Sequence, residues 1–138
     1  MHNNYNHNLV MFIIMILSGA LSTMNMWVDK YDDIRFSLND VYMIGLMTGW
    51  MFFFMGIVYR DLSTWLFGLL FVIIFFWCIR TQFLVTQNQY LLGMIPHHSM
   101  AVHMSKRLLE KENNIQKFLQ NIVSNQSDEI NFMKKNSF

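Results

Sequence analysis

Three apolar runs, each free of charged residues and each long enough to cross a bilayer, dominate the first 80 residues of this 138-residue chain. They occupy residues 9–27, 41–59 and 62–79, the last bounded by Asp61 and Arg80. At 1.5 Å of rise per helical residue, each run covers about 27–28 Å of a hydrocarbon core about 30 Å thick. Trp27, Tyr42, Tyr59 and Trp65 stand near the run ends, where interfacial aromatic side chains belong. Three such runs in so short a chain leave too few polar helices to cover them as a buried core. The pattern predicts a multi-pass integral membrane protein, with the lipid bilayer as its first partner. Arg60-Asp61 is a very tight connection, so the second and third helices are expected to be antiparallel neighbours. The first run is too long for a signal peptide, and residues 1–8 hold no Lys or Arg. It reads as a retained anchor behind a polar tail, with residues 9–80 as the membrane region and 81–138 as a second region.

Charge excludes several classes. Only 14% of residues are charged and the net charge is +1, so there is no basic face for nucleic acid. An apolar content of 54% excludes disorder. Cys78 is the single cysteine, which excludes an internal disulfide and a cysteine-based zinc site. Lys30, Arg35 and Arg80 flank the runs on one side and Arg60 on the other, which places the carboxy-terminal region inside. Asp29, Asp32, Asp33 and Asp40 crowd the same loop as Lys30 and Arg35.

The second run carries Met43, Met47, Met51 and Met55 at i, i+4 spacing. Thioether sulfur is a soft ligand that suits Cu(I), and methionine is also an ordinary filler of apolar packing. The stripe alone favours packing. Gly45 and Gly49 form a G-x-x-x-G pair that admits another helix at close range.

After Arg80 a polar stretch to Gly93 is expected to continue the third helix out of the membrane. A new helix is expected over 96–111, with Pro96 in its first turn, where a missing N–H costs nothing. Asn113-Asn114 breaks it, and a second helix follows over 115–135, its apolar positions at the helical period. The two make a helical hairpin. Lys106-Arg107 and Lys134-Lys135 read as solvated faces or contacts to lipid headgroups.

The hairpin concentrates ligand chemistry. At 100° per residue, Met94, His97, His98, Ala101 and Met104 share one broad face, with Met100 at its edge and His103 pointing away. Imidazole suits copper, zinc, iron or nickel, and thioether narrows the choice toward copper. On the second helix Gln126, Glu129 and Met133 fall together at i, i+3 and i+7. That face is placed to supply a carboxylate or a partner that orients an imidazole. The bland reading makes His97 and His98 surface or capping residues near a helix start. Catalytic alternatives fail on inventory. There is no Gly-rich phosphate loop, Ser99 beside His98 is not triad geometry, and a carboxylate-bridged di-iron centre needs more inward Glu than this chain has.

From Met94-Ile95-Pro96-His97-His98 onward, the sequence resembles the family known as domain of unknown function 305. Its hallmark is Met-x-x-His-His, a small residue and a Met one turn apart, and a Gln-x-x-Glu-Ile-x-x-Met tail. Here these are Met94, His97, His98, Ala101, Met104, Gln126, Glu129, Ile130 and Met133. Membrane members also have three spans before the hairpin. They share a Phe-Ser segment, a Tyr-Met opening of the second span and an Arg-x-Gln after the third, matched by Phe36-Ser37, Tyr42-Met43 and Arg80-Thr81-Gln82. The resemblance covers residues 30–135. It implies a ferritin-like helical hairpin that in some relatives binds copper and is linked to metal tolerance. Asn113-Asn114 departs from the usual inter-helix loop, and Met100 and His103 add further soft ligands.

The expectation is therefore an all-α integral membrane protein, with three transmembrane helices followed by a ferritin-like helical hairpin. Its function is to bind or buffer copper rather than to catalyse. The metal residues are His97, His98, Met94, Met104, Met100, Glu129, Gln126 and Met133. A hairpin of about 40 residues buries little core alone, so a homo-oligomer through the hairpin, such as a four-helix bundle, is expected. Two alternatives stand beside it: a structural or assembly protein whose hairpin docks partners without metal, and a copper conductor using the methionine stripe.

Overall fold

The computed structural model describes residues 2–137, with side chains from residue 7 onward. It is helical, with no strand among the described residues. Five α-helices follow one another: α1 His2–Leu21, α2 Leu38–Val58, α3 Leu62–Thr81, α4 Gln87–Leu109 and α5 Gln116–Asn136. Two short 3-10 turns, Met24–Trp27 and Tyr31–Asp33, lie between α1 and α2. The chain divides into two compact units. The first joins residues 1–23 and 39–84, and the second joins 24–38 and 85–138. The segment 24–38, which sequence places inside the membrane region 9–80, belongs to the second unit.

In the first unit α1, α2 and α3 are each long and apolar enough to cross a membrane. Their apolar side chains stay largely outward, as Leu17, Phe54, Ile73 and Phe76 show. Two expected boundaries move. The first run does not stay helical to residue 27, because α1 ends at Leu21 and Asn25 turns its Oδ1 to accept the Arg35 N–H at 2.9 Å. Of the tail expected over 1–8, residue 1 lies outside the described residues, and residues 2–8 are helical.

Helices α2 and α3 are antiparallel neighbours joined at Arg60, as the short connection predicts. The Asp61 N–H bonds the Gly56 carbonyl at 2.9 Å and the Arg60 N–H bonds Ile57 at 3.3 Å, with Arg60 left-handed at φ 54°. This is the Schellman arrangement, which satisfies the last carbonyls of a helix. Asp61 then caps α3 by accepting the Ser63 N–H at 3.0 Å. The two helices pack backbone to backbone. A Cβ on Gly49 would meet the Val72 nitrogen at 2.8 Å, and one on Gly68 would meet the Phe53 nitrogen at 2.1 Å. The expected close approach at Gly45 and Gly49 is present.

The third helix does not continue toward Gly93. It ends in a second Schellman arrangement, with Gln82 left-handed at φ 49° and the Phe83 N–H bonded to Cys78 at 3.1 Å. The Tyr42 hydroxyl donates to the Phe83 carbonyl and holds this turn. Thr86 then caps a new helix by accepting the Gln89 N–H at 3.3 Å. Pro96 consequently sits inside α4, not in its first turn, and the Leu92 carbonyl lacks its usual i+4 donor. The proline is tolerated because its ring is fully buried.

In the second unit α4 and α5 form the expected antiparallel hairpin around Leu91, Ile95, Val102, Ile130 and Met133, with Met94 and Val123 packed against them. Asn113 makes the break. Its amide donates to the Leu108 and Lys111 carbonyls at 3.2 and 2.8 Å, and its Oδ1 accepts the Ile115 N–H at 3.2 Å.

Candidate functional site

Helical geometry sorts the motif residues of α4 onto different directions. One row, Leu91, Ile95, His98 and Val102, points at α5. A second row, Met94, His97, Ala101 and Met104, lies one residue earlier and so about 100° around the helix. His98 is therefore mostly enclosed, at 16% side-chain exposure, and its Nδ1 lies 2.8 Å from Glu129 Oε2 on α5. The carboxylate lies against the Nδ1 edge of the ring without the geometry of a hydrogen bond. His97 is exposed on the outer side, with its ring centroid 5.9 Å from that of His98. Its Nδ1 is 3.4 Å from the sulfur of Met24.

The other predicted residues separate. Met94 is partly buried against the hairpin core, and Met133 is within that core. Met104 is exposed and Met100 is half-buried. Gln126 lies one turn before Glu129 on α5, and its Oε1 is buried without a partner. The hairpin thus brings together His98 and Glu129, sets His97 beside them, and packs Met94 against the cluster that holds Met133. Among the described residues no three His, Cys, Asp or Glu side chains converge on one point. A hard, carboxylate-rich cage is not what these residues form.

The methionine stripe of α2 divides. Met43 and Met47 are exposed and Met55 is buried. A row at i, i+4 spacing drifts about 40° per step, so four members span about 120° of the helix surface. The row therefore passes from the outside of the first unit to its interior and lines no single face.

Sequence reasoning missed a clasp. Asp33 is 3% exposed. It accepts from the Ser99 hydroxyl and lies 2.6 Å from Lys134 Nζ. Lys134 also pairs with Asp32, and Lys106 lies 2.6 Å from Asp29. The Ser99 oxygen accepts the Asp29 N–H at 2.9 Å, and Gln89 Oε1 accepts the Leu38 N–H at 2.8 Å. Lys134, only 23% exposed, is therefore tied to the 24–38 segment rather than solvated as expected, while Lys106 reaches Asp29 and stays 46% exposed. The Lys134 ammonium beside Asp32 holds that carboxyl below its usual range. Burial lowers the Lys134 pKa, but the two carboxylates outweigh it and hold the ammonium above its usual value. The crowding of three Asp within 29–33, with lysines on one side of each hairpin helix, was the available signal. Met24 was missed because it lies in the apolar run read as a span.

These features define a class: an all-helical protein with three helices long enough to cross a membrane, and a carboxy-terminal helix pair carrying a His-His and methionine motif. The chain belongs to the family described as Domain of unknown function (DUF305), whose model matches residues 82–136. It is similar to "Uncharacterized protein L153" of Acanthamoeba polyphaga mimivirus, 42% identical over 135 residues, covering 91% of this chain and 87% of the relative. No solved structure matches.

Proposed function

We propose that this is a membrane-anchored copper-binding protein that holds or buffers the ion at the His97-His98 face of the hairpin and catalyses nothing. The observation that carries the reading is the contact between His98 Nδ1 and Glu129. A metal-binding histidine commonly turns one ring nitrogen to a carboxylate, which fixes the tautomer and leaves the other nitrogen as the donor. His98 and His97, with Met94 and Met104 on the neighbouring row, would hold the ion, and Gln126 and Met100 stand at the margin. Bound copper would supply no reaction here, only a soft cation held by nitrogen and sulfur.

The 24–38 segment and the hairpin lie in one unit. The hairpin also has an open side. Tyr90, Met94, His97, Ala101, Met104 and Leu108 recur at heptad spacing on α4, and Phe118, Ile122, Asn125, Glu129 and Phe132 on α5. Each row lies one residue before the row packed inside the hairpin, so in an antiparallel pair both rows face the same way. Phe118 and Phe132 are 60% and 65% exposed. A second copy covering this side would complete a four-helix bundle around the His and Met residues.

The deciding measurement is metal content after purification in mild detergent, with Cu(I), Cu(II), Zn(II) and Fe(II) offered separately. The expected result is copper held by the wild type and lost from His97→Ala/His98→Ala. Equal copper in both, or none in the wild type, would overturn the proposal and leave the open side of the hairpin as a docking face.

A further inference from the structure

We propose that Met24, from the 3-10 turn outside the matched domain, is a ligand of the bound copper and grips one Cu(I) together with Nδ1 of His97. The inference rests on the copper reading above and adds a residue that neither the family match at 82–136 nor the hairpin itself contains. The two residues are 73 positions apart, yet the thioether sulfur and the imidazole nitrogen lie 3.4 Å from one another. With metal–nitrogen and metal–sulfur bonds of about 2.0 and 2.3 Å, donors at that separation subtend about 104° at a shared ion, close to the tetrahedral angle. Both donors already lie within reach of one ion.

The surroundings favour that use. Met26 and Trp27 of the same turn are exposed, at 70% and 58%, while Met24 is half-buried and aims its sulfur at His97. His97 is exposed, so an incoming ion meets it first. Thioether and neutral imidazole together carry no charge, which suits a monovalent soft ion over a hard divalent one. Met100 follows one turn along α4 from His97 and is half-buried. A plain N–H to sulfur hydrogen bond would give the same contact, but it predicts no dependence of Met24 on copper.

The test uses the full chain in mild detergent, reduced and anaerobic, titrated with Cu(I) against a chromophoric Cu(I) chelator. Met24→Leu, which keeps volume and apolarity, is compared with Met26→Leu, His97→Ala and the wild type. Met24→Leu should weaken Cu(I) retention by about tenfold or more, and X-ray absorption at the copper edge should lose one sulfur neighbour. Met26→Leu should change neither. A readout on the wild type alone guards against a folding defect: Ag(I), a soft monovalent ion that stands in for Cu(I) without its redox chemistry, should slow peroxide oxidation of Met24 to its sulfoxide, followed by mass spectrometry, more than that of Met26. Retention unchanged in Met24→Leu but lost in His97→Ala would overturn the Met24 assignment and spare the copper reading. A wild type that holds no Cu(I) would overturn both.

Discussion

Replacing Lys134 with Met should open the clasp between the 24–38 segment and the hairpin without unfolding either helix. The magnitude follows from Asp33. Its carboxylate is 3% exposed and keeps two partners, Ser99 and Lys134. Removing one partner of a buried ion pair costs about 3–5 kcal/mol. Ser99 still donates in the variant, and Lys134 is itself 23% exposed, so part of its charge interaction is already screened. Discounted for both effects, the figure falls just below that range, at about 2–3 kcal/mol. At 1.4 kcal/mol per tenfold, the segment should open roughly 30–150-fold more often. The assay is amide hydrogen exchange on the full chain in detergent, read at Asp29 and Leu38. Their N–H groups bond Ser99 Oγ and Gln89 Oε1 on the hairpin at 2.9 and 2.8 Å, so both bonds break when the segment lifts. In an Asp33→Asn background the same lysine change should cost about 1 kcal/mol or less, because no buried charge is left behind. An equal effect in both backgrounds, or less than threefold in the wild-type background, would refute the argument.

Three further outcomes follow from the same geometry. Lowering the pH should release the segment, since Asp32 has its pKa lowered below 3.8, so its contribution is full above that value and lost as the pH falls through the folded pKa. Lys134 has its pKa raised above 10.5, so its contribution is full below that value and lost as the pH rises through the folded pKa; exchange between about pH 5 and about pH 9, corrected for its intrinsic pH dependence, should be flat. Gly68→Ala should destabilise the first unit far more than Gly45→Ala, measured by thermal inactivation of folding in detergent. The former sets a methyl against the Phe53 backbone at 2.1 Å, and the latter meets the movable Phe75 ring. Met43→Leu and Met47→Leu should change stability by less than about 0.5 kcal/mol, because both side chains lie on the surface of the unit. A large loss from either would mean the stripe has a buried role.

The hairpin shows how far sequence carried and where it stopped. The break at Asn113-Asn114 and the helix after it were legible, because Asn113 closes the turn with its own side chain on atoms within five residues. The pairing of His98 with Glu129 was legible from the spacing on each helix, since two helices with a short break must be antiparallel and bring their apolar rows together. The start of α4 was not. Proline as a helix-starter is a local preference, and the Thr86 cap together with the Gln82 turn overrode it.

The sequence by itself determined everything set by a solvent and a short stretch of chain: three apolar helices of membrane length, the tight α2–α3 connection, the glycines that let those helices touch, and a His-Met face on a helical hairpin. Periodicity and run length encode these because each depends on residues a few positions apart. It took the folded chain to show that residues 24–27 leave the apolar run and, with 28–38, join the unit of the hairpin. Only it decided that Lys106 and Lys134 are bound to Asp29, Asp32 and Asp33, and that His97 and His98 turn to different partners. Of these contacts, those to the 24–38 segment join residues 73 to 102 positions apart. Their existence depends on the path the loop takes once the helices have formed, and no local spacing in the chain records that path.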